Sequence, residues 1–306
     1  MDEFPSITDL FEFLNDDSTW DEIGKSYLFI GEIIGKCIAE LFKRTKINKI
    51  DAKRDIDDYR FYAGRYLLRS VRIYRSIILL SIYDSCFEAE MLQRPLLENI
   101  AETKYFLNSR RARAIKKIKL YELINSKREY ESTYAKDFSK FTDKYGNIIS
   151  TKYIFESGET LRKDIENRLL NYSDAEIIKM EEIIKKNLSW HGKHRNQLFK
   201  EKYVNMESKI EVYGRACAVL HIREERPFLF EKHTDFYPKA QSLDSSLLMV
   251  EHIKDFIKLC PETFASSDLN NNLGNIERNL QKRIYDEVKE HDPRVFEFVT
   301  LIPIKE

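Results

Sequence analysis

The chain has 306 residues, of which 42% are apolar, and its 51 basic residues balance its 51 acidic residues. A chain of this length and composition can bury one large or two smaller hydrophobic cores, which excludes intrinsic disorder and collagen-like repeats. With only 9 glycines and 7 prolines, it has few of the residues that form turns between short strands. The composition therefore argues against all-β folds and against glycine-rich nucleotide-binding loops.

Apolar residues recur at helical spacing through nearly every segment that lacks turn signals, which predicts an all-α fold, a multi-helix bundle. Pro95 is expected to kink the third helix or to mark its start. Ser173 and Glu176 have the spacing of a capping box at a helix start. A short strand or extended strap is predicted over 295–304. The helices are predicted over about 19–45, 55–83, 86–108, 111–141, 159–170, from 174 onward, 207–222, 242–259 and 273–291.

Three regions are predicted along the chain: an acidic arm with the first helix (1–50), a helical core domain (51–230), and C-terminal helices (231–306) that pack on the core. Charge is unevenly distributed among them. The first 22 residues carry eight acids and no base, whereas residues 110–144 carry eleven bases and five acids. Both segments are interpreted as solvated faces. The basic segment has a second interpretation, a surface that contacts phosphate groups.

The four cysteines lie far apart among apolar residues, so we expect small buried side chains and a reducing compartment. The sequence contains no CxxC pair of the kind that indicates a zinc or redox site. The N-terminus lacks the basic and then apolar order of a secretory signal, and no apolar stretch is long enough to span a bilayer. We therefore expect a cytoplasmic protein that does not insert into membranes. The cysteines are Cys37, Cys86, Cys217 and Cys260.

The predicted helix over 207–222 carries the residues best suited to chemistry. Tyr213, Cys217 and His221 follow at intervals of four and form one stripe, and Arg215 precedes His221 by six positions. Cleavage of RNA without a metal needs a base near the 2'-hydroxyl and a fixed positive charge near the phosphate, and histidine and arginine suit these roles. The alternative is that His221 is a structural histidine, partly buried between helices.

Two histidines lie in a basic segment that follows Trp190. The segment is interpreted as a phosphate-binding joint or as an ordinary polar loop anchored by the tryptophan ring. A metal site would need a third ligand at a characteristic spacing, which the sequence does not offer, so no metal and no cofactor is expected. The candidate RNA-binding residues of this segment are His191, Lys193, His194 and Arg195.

Two further helices carry candidate residues. Arg65, Arg69 and Arg72 share one face of the second helix, opposite its apolar residues, and are interpreted as a solvated face or as contacts to the RNA backbone. Arg94 and Glu98, one turn apart in the third helix among apolar residues, are interpreted as a structural ion pair or as one wall of an active cleft. No P-loop, GxGxxG, HExxH, GxSxG or EF-hand pattern occurs, which disfavours NTPases, dehydrogenases, zincins and serine hydrolases.

Three segments in order, Arg94-Pro-Leu-Leu-Glu98, the Trp190 segment and Tyr213-x3-Cys217-x3-His221, resemble a bacterial helical family of unknown function, the DUF5677-like family. The match covers about 55–226, and Cys217 stands where that family usually has serine. The helical bundle with Arg215 and His221 is also similar to the HEPN superfamily. The position after Arg215 is Ala216, where HEPN enzymes often have a polar residue.

The HEPN similarity implies a dimeric, metal-independent ribonuclease of a prokaryotic toxin or antiphage defence system, with Arg215 and His221 as catalytic residues. Tyr213, Cys217, Arg94 and Glu98 would line or support the cleft. The expected partners are RNA, a second copy of the chain and a regulatory protein. The alternative is a noncatalytic helical module of a defence system that binds a protein or a small ligand and holds Tyr213, Cys217 and His221 in its core.

Overall fold

The computed structural model describes residues 17–43, 55–133, 152–220 and 236–290. The described residues are mostly helical and contain no strand, which confirms the all-α prediction. None of the described helices combines the length and apolar composition needed to cross a bilayer. The helices are α1 (Ser18–Lys43), α2 (Asp55–Ile82), α3 (Cys86–Asn108), α4 (Arg111–Thr133), α5 (Lys152–Leu169), α6 (Asp174–Lys185), α7 (Arg195–Leu198), α8 (Ile210–Leu220), α9 (Phe236–Lys254) and α10 (Ser267–Glu290).

The chain separates into two compact units. Unit 1 contains the described residues before 109 and after 195, and unit 2 contains residues 109–195. This division does not follow the predicted boundaries at 50 and 230, because the end of α3 and the start of α7 delimit unit 2. Of the predicted acidic arm and first helix (1–50), residues 1–16 and 44–50 lie outside the described residues, and so does the predicted strap (295–304).

Unit 1 is built on α1, α2, α3, α8, α9 and α10. Helix α2 packs on α3, α3 packs on α8, and α9 packs on α1, α2, α3 and α10. The apolar stripe of α1 faces inward, with Ile30, Ile33 and Leu41 fully buried. Burial of such stripes supplies most of the stability of a helical bundle. The C-terminal helix α9 therefore packs on the helices that precede the second unit.

Unit 2 packs α4 against α5 and α6. Leu120 and Ile124 of α4 form a buried cluster with Met180 and Ile184 of α6. The predicted capping box is confirmed at the start of α6. There, Oγ of Ser173 accepts a hydrogen bond from the amide of Glu176, and the Glu176 carboxylate accepts one from the amide of Ser173. These bonds satisfy amide donors that the first turn of a helix leaves free.

Two prolines mark differences from the sequence prediction. Helix α9 begins at Phe236 instead of 242, so Pro238 lies in its first turn. The first-turn amides of a helix have no intrahelical partner, and a proline there loses no hydrogen bond. Pro95 lies inside α3. The third helix therefore begins before Pro95, at Cys86, and continues past it to Asn108.

Helices α1 and α2 come close together at Gly64. A Cβ atom placed on Gly64 would lie 2.7 Å from Cζ of Phe42, closer than carbon atoms approach in proteins. The Phe42 ring is also held edge-on to Phe61, with ring centroids 6.0 Å apart. The absence of a side chain at Gly64 therefore allows the aromatic ring of α1 to lie against the backbone of α2.

Candidate functional site

The predicted residues Arg94, Glu98 and Tyr213 meet where α3 packs on α8. Nε of Arg94 donates a 3.0 Å hydrogen bond to Oε1 of Glu98, and the Tyr213 hydroxyl donates one of 2.9 Å to the same oxygen. The guanidinium carbon of Arg94 lies 5.6 Å from the centroid of the Tyr213 ring. Glu98 is buried, whereas the Arg94 side chain is one-third exposed. We call these three side chains the α3–α8 cluster.

The cluster keeps its hydrogen-bond donors protonated. Burial is the largest cause that raises the pKa of Tyr213 above its usual value, followed by the charge of Glu98 and the hydrogen bond to it. The hydrogen bond to Glu98 likewise raises the pKa of Arg94. Both donors therefore stay on Glu98 across the neutral pH range. Among the described residues, no hydrogen bond is made by the two terminal nitrogens of Arg94.

Cys217 lies one turn after Tyr213 on α8 and belongs to the same face. Its thiol is near enough to affect the pKa of both Tyr213 and Arg94. The prediction that all four cysteines are buried is wrong for Cys217, which is half-buried, and holds for the other three. Cys217 lies on the face of α8 that contacts Arg94, and this face is partly exposed to solvent beside the α3–α8 cluster.

The two residues predicted to be catalytic are only partly covered by the described chain. Arg215 lies on α8, between Tyr213 and Cys217. His221 follows the last described residue of α8 and lies outside the described residues. The pairing of Arg215 with His221 therefore stays a prediction. What the structure adds is the surroundings of the helix that carries Arg215, which packs on α3 through Tyr213.

The predicted arginine face of α2 lies on the surface. Arg65, Arg69 and Arg72 are exposed, and so is Arg75, which the sequence reasoning omitted although it continues the same spacing. On the opposite face, Leu67 and other apolar residues are fully buried. The guanidinium of Arg65 lies 5.5 Å from the centroid of the Tyr62 ring and 5.8 Å from that of Phe61. The predicted amphipathic division of this helix is therefore present.

The segment after Trp190 is a loop anchored by buried rings. Trp190 and His191 are both buried, with ring centroids 5.4 Å apart. Nδ1 of His191 accepts a 3.2 Å hydrogen bond from the amide of Lys193. The prediction of His191 as an RNA-contacting residue is contradicted by this burial. His194 and Arg195 are exposed and Lys193 is half-buried, so these three remain accessible to a ligand.

Gly192 explains how this loop turns. Its φ of +82° lies in the left-handed region, which glycine adopts without strain. Its amide donates a 2.8 Å hydrogen bond to the carbonyl of Ser189, and the amide of Ser189 donates to the carbonyl of Lys193. The turn places the two neighbouring histidines in different environments, one inside and one on the surface.

A cleft of about 410 Å³ lies in unit 1 next to the start of α8. This volume is within the range of roughly 300–1,000 Å³ found for small-molecule sites. Lys104 and Asp255 form an ion pair at 3.4 Å on its wall. The side chains of Lys209 and Glu251, also on the wall, make no hydrogen bond or ion pair with described residues. Its apolar lining is formed by Ile100, Met206 and Leu248.

A series of buried polar side chains lies next to this cleft, and it was not predicted from the sequence. Nε2 of His252 is 3.1 Å from Oγ of Ser70, which accepts a 2.6 Å hydrogen bond from Asn99. Nδ1 of His252 lies 3.8 Å from a carboxylate oxygen of Asp255, beyond hydrogen-bond distance. His252 is fully buried, and burial lowers its pKa below the usual histidine value. The neutral ring therefore joins α9 to α2.

Only part of the cleft and of the contacts of His252 could be predicted from the sequence. His252 and Asp255 are three positions apart, which is a recognisable helical pair. The cleft residues Lys104, Lys209 and Glu251 come from three distant segments, so their proximity cannot be predicted from spacing along the sequence. Within the described ranges, no group of three or more histidine, cysteine or acidic side chains is arranged to hold a metal ion. Comparison with known proteins gave no match to a family model, a curated protein or a solved structure.

Proposed function

We propose that this chain is a metal-independent endoribonuclease of the HEPN type that acts in a prokaryotic defence or toxin system. The observation that supports it is the α3–α8 cluster. Glu98 and Tyr213 hold the guanidinium of Arg94 on the helix pair that carries Arg215, and they leave its terminal nitrogens without a partner among the described residues. A guanidinium held in this way is suited to gripping phosphate oxygens.

His221 and Arg215 perform the reaction in this proposal. His221 takes the proton of a ribose 2'-hydroxyl, and the 2'-oxygen attacks the adjacent phosphorus. Arg215 stabilises the negative charge of the phosphorane. The bond from phosphorus to the 5'-oxygen then breaks, and the leaving oxygen receives a proton from the histidine. The products are a 2',3'-cyclic phosphate and a 5'-hydroxyl end, and neither a metal nor a cofactor takes part.

In this proposal the α3–α8 cluster holds Arg94 in place for contact with the RNA. The ion pair with Glu98 fixes Arg94 through Nε and leaves the donors of its two terminal nitrogens without a hydrogen bond to any described residue. The Tyr213 ring supports the guanidinium from one side, with its centroid 5.6 Å from the guanidinium carbon. Arg94 then binds a phosphate that flanks the scissile one. Cys217 lies beside it on α8 and lines the same face.

A second copy of the chain completes the site in this proposal. In an isologous dimer, the same helix of each protomer faces its partner across the axis, so that two Arg215–His221 pairs line one composite cleft. A regulatory protein that covers this cleft would keep a toxic nuclease inactive. The oligomeric state is measured by sedimentation of the full chain, and a monomer at the concentration of the cleavage assay would contradict the shared cleft.

The test is RNA cleavage by the purified full chain with a chelator present. We expect cleavage to give 2',3'-cyclic phosphate ends, detected by mass spectrometry, and to fall at least about 100-fold in His221→Ala and Arg215→Ala. The matched control is Arg168→Ala, which removes an exposed arginine paired with Asp164 in unit 2. Cleavage by His221→Ala at the parent rate, or a requirement for metal, would contradict the mechanism.

The cleft favours a second candidate function, a noncatalytic module that binds a small ligand. Its apolar lining and the charges of Lys209 and Glu251, which have no partner among the described residues, suit a zwitterionic molecule with a small apolar part. Thermal denaturation of the parent with free amino acids and nucleoside monophosphates as probes tests this function. A probe that stabilises the parent and the control Lys258→Ala, but not Lys209→Ala, supports it. No shift with any probe counts against it.

A further inference from the structure

The middle of α2 has an unusual charge composition. Between Tyr59 and Tyr83 it carries five arginines and no lysine, aspartate or glutamate. The acids of α2 lie before this run, at its first turn, so the arginines at 65, 69, 72 and 75 have no carboxylate within one turn on their own helix. The pairing of charges one turn apart that neutralises most solvated helix faces is therefore absent at these four positions.

Four of these arginines, at positions 65, 69, 72 and 75, form a row on the surface, which we call the arginine row. From Asp58 to Ile82, the only strongly exposed residues are these four. Arg69, Arg72 and Arg75 make no ion pair or side-chain hydrogen bond with any described residue. Arg65 lies over the rings of Phe61 and Tyr62. Arg69, Arg72 and Arg75 therefore offer to solvent guanidinium groups that no described residue neutralises.

The geometry of the row suits a linear polyanion. Spacings of four, three and three residues keep the side chains within about one-third of the helix circumference, and the row extends about 15 Å along the helix axis. The opposite face is fixed in the core of unit 1 by Leu67, Ile77 and Ile78, which are fully buried. The row is thus presented by a rigid element, so little ordering of the backbone is needed when a ligand binds.

We propose that the arginine row binds the sugar-phosphate backbone of RNA without regard to base sequence. A guanidinium makes paired hydrogen bonds to phosphate oxygens, and contacts to phosphates fix position without reading bases. A lipid surface fits less well, because no strongly exposed apolar residue accompanies the arginines on this stretch of α2. The choice of RNA over another polyanion rests on the proposed nuclease function, and the row would hold the strand while the α8 residues cleave it.

The experiment measures binding of the full chain to a fluorescent single-stranded RNA by anisotropy at several salt concentrations. The double variant Arg69→Ala/Arg72→Ala is compared with Arg162→Ala/Arg168→Ala, which removes the same charge from exposed, paired positions of unit 2. Two lost phosphate contacts should reduce the slope of log K against log salt by about 1.4 and the affinity roughly 10- to 30-fold at moderate salt. The control variant should match the parent in both.

The outcomes separate this inference from the proposed function. RNA bound through the row but left intact would support the inference and contradict the nuclease. In an active nuclease, the row variant should raise KM with little change in kcat, because it removes uniform binding. Equal slopes for row variant and parent would overturn the inference. So would row-dependent binding to phosphatidylcholine vesicles containing phosphatidylserine with no binding to RNA. Because the substituted arginines have no side-chain partner among the described residues, the thermal midpoint should not change.

Discussion

The Tyr213 hydroxyl donates a 2.9 Å hydrogen bond to Oε1 of Glu98, the oxygen that also accepts from Nε of Arg94. One buried carboxylate oxygen thus joins α8 to α3. Tyr213→Phe removes a donor and leaves the ring in place against Phe199. The free energy of unfolding should fall by about 1.5–3 kcal/mol, as for hydrogen bonds to charged groups. Urea denaturation measures it, with Tyr285→Phe, an exposed tyrosine, as the control.

Acid should destabilise the protein through His252. Burial depresses its pKa in the folded chain, whereas the unfolded chain binds the proton at about pH 6.5. The contribution of the neutral ring is therefore complete above about pH 6.5 and is lost as the pH falls toward the folded pKa, by at most about 1.4 kcal/mol per pH unit. The Asp255 carboxylate opposes this shift, while burial and the charge of Lys104 favour it.

The measurement for His252 is urea denaturation between pH 7.5 and pH 5. His252→Asn should be less stable than the parent at pH 7.5, because it disturbs the contact with Ser70, but its stability should depend less steeply on pH. His194→Asn, at an exposed histidine, serves as the control and should follow the parent. A parallel pH profile for His252→Asn and the parent would show that this ring does not cause the acid sensitivity.

Glycines 31 and 64 should respond in opposite directions to the same substitution. In Gly64→Ala the new Cβ would meet the Phe42 ring at 2.7 Å, and overpacking of this kind costs roughly 1–3 kcal/mol. In Gly31→Ala the Cβ meets nothing within 4 Å, and alanine in a helix interior should stabilise by about 0.5–1 kcal/mol. Thermal midpoints of the two variants test the close approach of α1 to α2. Equal effects would contradict it.

The capping box of α6 should be detectable in unit 2. Ser173→Ala removes the side chain that accepts from the Glu176 amide, and loss of such a cap costs about 1 kcal/mol. Hydrogen exchange at the first amides of α6 should become faster. The control Lys179→Ala lies on the exposed face of the same helix, away from the cap. Unchanged exchange at Glu176 in Ser173→Ala would show that the cap does not hold this end of the helix.

The sequence predicted the helices well where a stripe and a cap agreed. The third helix was predicted over the range that it occupies, and the Ser173 cap was identified from spacing alone. The start of α9 was predicted at 242, which is too late, because the first turn of a helix tolerates a proline such as Pro238. The second unit was not anticipated, since its boundaries at 109 and 195 carry no glycine-rich or proline-rich linker.

In the candidate site, contacts within one helix could be predicted from helical spacing, whereas contacts between helices could not. Arg94 and Glu98 are one turn apart, and their ion pair follows from that spacing. The bond from Tyr213 to Glu98 spans 115 positions, and only the packing of α8 on α3 brings the two together. The buried position of His191 was not predicted from the sequence, since the basic residues that follow it suggested an accessible loop.

The row of guanidinium groups on α2 contains no lysine and no histidine. Arginine keeps its proton at any pH at which a protein remains folded, so the positive charge of this surface is permanent, and acidification or mild base cannot discharge it. A polyanion seated there leaves only by competition from salt or another anion, or by becoming shorter and losing contacts. Fragmentation of a bound strand would therefore promote its own departure and free the surface for the next molecule.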